Sequence, residues 1–153
     1  MSEDYRYGFV LISDMKWWEK ICERSRSGNS VHAFVRRNLV GPLYAEKLLF
    51  YVKRPFMQIR GLADFIERVT GDAEKLWDKY GGDTCLDSFE SYLKLLGSIE
   101  KATFIRFTNL RELETPISLE TLKKVLSISR IPRGGWYLSR EALNQLIAQK
   151  GSV

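Results

Sequence analysis

Apolar and polar positions change their period several times along this chain, and each change marks an element. The run "YGFVLIS" (7–13) ends at Ser13-Asp14, two residues that commonly cap helices. A strand is expected to run into a helix over about 14–27, with Met15, Trp18, Ile21 and Cys22 on one face and Gly28-Asn29 ending it. Adjacent side chains on a helix diverge by about 100°. Trp18 therefore falls in the apolar stripe, and Trp17 falls beside it, between Ile21 and the Lys20 and Arg24 side.

The period then shortens to two. In "SVHAFVRR" (30–37), Val31, Ala33 and Val35 oppose His32, Phe34 and Arg36. In "AEKLLFYVKRP" (45–55), Leu48, Phe50 and Val52 oppose Leu49, Tyr51 and Lys53, and Pro55 stops the strand. In "MQIRGLADFIERV" (57–69), Met57, Ile59, Gly61, Ala63 and Phe65 share a side, and the mid-strand Gly61 predicts a bulge or tight bend. Two short helices follow, from Asp72 and from Asp87, the second with Glu90 placed as in a capping box. "KATFIRFTNLREL" (101–113) reads as a long strand, 118–127 as a helix with Leu119, Leu122 and Leu126 aligned, and 130–138 as a turn-rich segment. Ser139 caps a final helix. The order β-α-β-β-β-α-α-β-α-(β)-α implies an α+β fold on an antiparallel or mixed sheet, with a small barrel wrapped by helices as its natural closure.

Composition adds bounds. At 153 residues the chain suits one domain, 1–153, able to bury a core. No apolar run approaches the length of a membrane span, and "MSEDYRYG" lacks the order of a signal peptide, so a cytoplasmic protein without membrane association is expected. Cys22 and Cys85 are the only cysteines and His32 the only histidine, which leaves no recognisable zinc set. No phosphate-binding loop, dinucleotide fingerprint or nucleophile elbow is present, so neither cofactor nor metal is expected.

The net charge of +5 permits nucleic-acid binding without requiring it. Placement matters more. Arg36 and Arg37 end one strand, Lys53 and Arg54 end another, Lys16 opens the first helix, and Arg130 and Arg133 flank "PRGGW". Phosphates need convergent cations, and unstacked bases need flat aromatic partners, for which Trp17, Trp136 and Tyr137 are at hand. Charged ends of edge strands serve equally to block unwanted strand pairing.

"FVLISDMKWWEKI" resembles the opening strand and helix of the EVE and ASCH domains of the PUA-like superfamily, and "KLLFYVKRPFMQIRGLADFIERV" is similar to their two crossing strands. The stretch from "EKLWDKYGGD" through "SIEKATFIRF", then "LRELETPISLETLKKV" and "IPRGGWYLS", resembles the rest of the pattern in order, with the nearest likeness to an archaeal family of uncharacterised proteins. The resemblance implies a PUA-like pseudo-barrel of five to six mixed or antiparallel strands with surrounding helices. It also implies a cleft between the first helix and the barrel that takes RNA or a single, often modified, nucleobase. The expected contact residues are Ser13, Lys16, Trp17, Arg36, Arg37, Lys53, Arg54, Arg133 and Trp136.

For ribonucleases of the ASCH type, the resemblance points to a Lys and a Glu in a "G-x-K-x-x-E-x-R" stretch. Here that stretch is "GNSVHAFVRR", with Ser30 and Ala33 at those positions. Neither offers a group that titrates usefully, so no catalytic residue is assigned and a non-enzymatic RNA-binding module is expected first. An enzyme acting on RNA or nucleotides, drawing on Asp14, Lys16, Tyr51 or Lys53, is a second reading, and a binder of a free nucleoside-like ligand is a third.

Overall fold

The computed structural model describes residues 6–37, 41–97 and 100–150, with 149 and 150 described by backbone alone. Its elements are β1 (Gly8–Ser13), α1 (Met15–Arg26), β2 (Val31–Arg36), β3 (Lys47–Val52), β4 (Gln58–Asp72), α2 (Ala73–Tyr80), a 3-10 turn (Gly81–Asp83), α3 (Phe89–Leu96), β5 (Lys101–Ser118), α4 (Leu119–Leu126), β6 (Trp136–Leu138) and α5 (Arg140–Lys150). The predicted order of elements is the observed one.

The six strands form one sheet in the order β2-β5-β4-β3-β1-β6. Only β1 and β3 pair in parallel; the other neighbours are antiparallel. The fold is the expected α+β pseudo-barrel, with a curled mixed sheet and helices on both sides.

Strand alternation sorts the core. Phe9, Leu11, Leu48, Phe50 and Val52 join Trp18 and Ile21 beneath α1. The intervening Val10, Leu49 and Tyr51 pack with Leu122, Leu143 and Leu146 of α4 and α5. Both faces of β1 and β3 are therefore covered, which is why these strands read as near-continuous apolar runs. A third group, Tyr92, Leu96, Phe104 and Leu76 among it, lies under α2 and α3. There the Tyr92 hydroxyl donates to the Ala73 carbonyl at 2.6 Å.

The bulge expected at Gly61 is present, since the pairing of β4 with both neighbours shifts between Ile59 and Gly61. It also corrects the expected face. The extra residue, Arg60, sends Met57 and Ile59 to the α4–α5 side, whereas Ala63 and Phe65 stay beneath α1. Gly61 has a second duty. A β-carbon there would collide with the Trp18 ring, so only glycine lets α1 approach the sheet this closely.

Local chemistry sets the helix ends. The side chains of Asp72, Ser118 and Ser139 accept from the backbone N–H groups of Lys75, Thr121 and Ala142. The helix expected from Asp87 is capped one residue later, by Ser88, whose hydroxyl accepts from Ser91 N–H at 3.1 Å. Asp14 precedes α1 but makes no side-chain cap, because its carboxylate turns to Lys53. Among the described residues no helix is long and apolar enough to cross a membrane.

Candidate functional site

A cavity of about 270 Å³ opens between α1, β2 and the segment joining α2 to α3. Its apolar wall comprises Trp17, Ile21, Ala33, Phe34, Cys85 and Leu86, and its charged groups are Arg36, Arg37, Lys53 and Asp14. It sits at the small end of ligand sites, large enough for one ring system rather than a long chain.

Helical phase positions the aromatic wall. Trp18 is buried, 4% exposed, against Phe50. Trp17, one residue earlier, is half-buried and faces the cavity, with Lys16 and Lys20 ammonium groups 5.3 and 5.4 Å from its ring centroid. The adjacent tryptophans thus divide into a core anchor and a cavity wall.

Strand alternation positions the charge. Arg36 follows Phe34 by two residues on the same face of β2, and its guanidinium carbon lies 5.3 Å from the Phe34 ring centroid. Its Nε and Nη2 atoms are sealed from solvent and have no hydrogen-bond partner among the described residues. Burial pulls its pKa below the ordinary arginine value, yet an arginine remains a cation at neutral pH. A desolvated cation without a counter-charge is costly, and an anion in the cavity beside it would offset part of that cost through its charge, without reaching the two sealed nitrogens. Lys53 differs. It is exposed at the mouth and pairs with Asp14 at 2.9 Å.

Trp17, Arg36, Arg37 and Lys53 of the sequence-predicted set are brought together here. Lys16 lines an adjoining cavity that shares Trp17. Ser13 is 1% exposed and its hydroxyl donates to the Asp14 carbonyl, so it supports the strand-to-helix turn instead of facing a ligand. Arg54 is exposed in the turn after β3, outside the cavity. Arg133 and Trp136 do not reach it either. Arg133 is exposed, and Trp136 pairs with Val10 at the β6 edge and packs on the α4–α5 core. Tyr51, considered for an enzyme, lies in that same core, where burial pushes its pKa up.

Sequence reading missed the segment Thr84–Leu86 and Leu95, which close the cavity from the α2–α3 side. No local pattern marks them, because they become a wall only when α3 docks. Burial pushes the Cys85 thiol up, so it stands in the wall as a neutral group. Ala33 lies in this wall, and the Ser30 carbonyl accepts from the Thr108 hydroxyl at 2.6 Å. His32, 1% exposed, packs its ring tilted against Phe107 and accepts from Arg24 Nε at 3.4 Å through Nδ1. Among the described residues no three His, Cys, Asp or Glu side chains are grouped to hold a metal ion.

No known family profile and no curated protein matches the chain. Solved structures do. The ASCH protein from Zymomonas mobilis superimposes with a TM-score of 0.75 at 25% identity, over 94% of this chain and 95% of that one. A single-site mutant of the same protein gives 0.75 at 26% identity, over 95% of this chain and 98% of that one.

The fold is that of an ASCH, PUA-like domain.

Rpa0253 from Rhodopseudomonas palustris, at 11% identity and a TM-score of 0.54 over 95% of this chain and 93% of that one, shares the ASCH-like fold alone. The cavity beside α1 thus lies between the first helix and the sheet of an ASCH-like fold, the place the resemblance indicated for the cleft.

Proposed function

We propose that this chain is an RNA-binding module that takes a nucleobase and its phosphate into the cavity beside α1. One observation carries the reading: Arg36, largely desolvated and without a carboxylate partner among the described residues, lines the same cavity as Trp17. Indole offers a stacking surface for any base, and Arg36, with Arg37 and Lys53 beside it, suits a phosphate or carbonyl oxygen. The ASCH-like fold supports the same reading. Ser30 and Ala33, in place of a Lys and a Glu, favour binding over cleavage.

The test is a titration of fluorescent single-stranded RNA by anisotropy, across about 50 to 200 mM salt. Wild type should bind with affinity that falls as salt rises. Arg36→Met should weaken binding about 100-fold, and Trp17→Ala about tenfold, the loss expected for one stacked base. A wild-type protein that binds no RNA at the lowest salt, or an Arg36→Met variant that binds as well as wild type, refutes the reading.

The cavity's size supports a second reading, a free nucleoside-like ligand held by Trp17 and Arg36. A thermal-shift screen of nucleosides separates the two, since a free nucleoside that stabilises the protein while RNA does not compete with it favours the second.

A further inference from the structure

A second cavity, of about 340 Å³, adjoins the first. The two share Trp17, Leu86 and Leu95, so the Trp17 side chain forms part of the partition between them. The second is strongly cationic. Lys16 and Lys20 enter it from α1 and Lys94 from α3, against the one carboxylate of Asp87.

Lys16 and Lys20 are four residues apart, so they project from one face of α1, where like charges repel. Lys94 brings a third ammonium to the same space. None of the three pairs with a carboxylate within ion-pair distance among the described residues. Lys16 and Lys20 instead rest near the Trp17 ring, which offsets part of the repulsion. A cationic cavity next to an aromatic partition next to a second cationic cavity repeats the arrangement that single-stranded nucleic acid requires: phosphates on either side of a stacked base.

We propose that the second cavity holds the neighbouring phosphate of the same strand. The ligand is then a single-stranded RNA of two or more nucleotides that crosses Trp17, rather than an isolated nucleotide. This inference rests on the reading of the first cavity as a nucleotide site, and it adds the substrate class.

The experiment compares nucleoside 5′-monophosphates with octanucleotides of the same bases on wild type and on the K20A/K94A double variant. Wild type should bind the octanucleotide at least about tenfold more tightly than the monophosphate. The double variant should lose most of that advantage and about 0.7 units of salt slope, the value for one phosphate contact on a single strand. Its affinity for the monophosphate should not change. If wild type binds both ligands equally, or the double variant keeps the full advantage, the second cavity has no such role while the first stands. Equal weakening of both ligands also overturns the assignment, since it would reflect general charge loss. If wild type binds neither ligand, the underlying RNA reading falls as well.

Discussion

Two arginines on neighbouring strands, Arg106 of β5 and Arg36 of β2, show how this fold treats a partly buried cation. Arg106 is ion-paired at both terminal nitrogens, although its Nε is buried without a hydrogen-bond partner among the described residues. One terminal nitrogen pairs with Glu67, the other lies 3.6 Å from Asp83, and the guanidinium covers the Tyr80 ring at 4.5 Å. Arg36 has the Phe34 ring but no carboxylate among the described residues, and two of its nitrogens are sealed and unsatisfied. Arg106 lies outside the cavity; Arg36 lines it. One cation finds its carboxylates within the fold. The other has none among the described residues, which is the ground for the proposed ligand role. A buried charge is informative about function when its partner is missing, not merely because it is buried.

The largest effect should come from breaking the ion-paired member. Arg106→Met strands Glu67 and Asp83 and should cost about 2 kcal/mol of unfolding free energy in urea, with RNA affinity unchanged. A loss of RNA binding without a loss of stability would erase the contrast. Next in size is ligand linkage. Inorganic phosphate at tenfold its own Kd should stabilise wild type by about 1.4 kcal/mol and leave Arg36→Met unmoved, as read by thermal denaturation. Smaller again is Arg36→Met itself. Removing a desolvated, unpartnered charge should leave stability unchanged or raise it by up to about 1 kcal/mol, the opposite sign to Arg106→Met. A large destabilisation would mean that Arg36 is structural after all.

The smallest effect is a pH dependence at His32, one strand pair away from Arg106. Burial, reinforced by the Arg24 guanidinium and opposed by Asp83, lowers its folded pKa below the ordinary 6.5. Below about pH 6.5 the unfolded chain takes up a proton that the folded chain refuses. This contribution is therefore present in full above pH 6.5 and is lost as pH falls toward the folded pKa. Urea midpoints between about pH 5 and 8 should decline on the acid side in wild type and decline less in His32→Gln. Equal slopes in the two proteins would remove the assignment.

Much of the fold was legible because its causes are local. Asp72, Ser118 and Ser139 cap helices through their own short side chains, and Ser88 displaced Asp87 because two adjacent residues could each serve and only one has the geometry. The i, i+3 spacing separated Trp18 from Trp17 without any knowledge of what either touches. The Gly61 bulge was also legible, though not its consequence, since where the extra residue sits decides which side Ile59 reaches.

The candidate site was legible as a list and not as a place. Arg36 and Lys53 end strands that are separated by two others in the sheet and run antiparallel to each other. In a flat sheet they would lie apart, yet here the curl of the sheet and the docking of α1 bring them to one cavity. Arg133 and Trp136 carry the same residue types beside a similar turn, but β6 joins the opposite edge and leaves them outside.

By itself the sequence determined the elements, their caps, the alternation of apolar faces and the stock of cations and aromatics, because each depends on neighbours a few residues away. The tertiary structure alone decided which cations meet which aromatic, and which arginine finds a carboxylate. Those outcomes depend on strand order and sheet curvature, which join residues far apart in the chain.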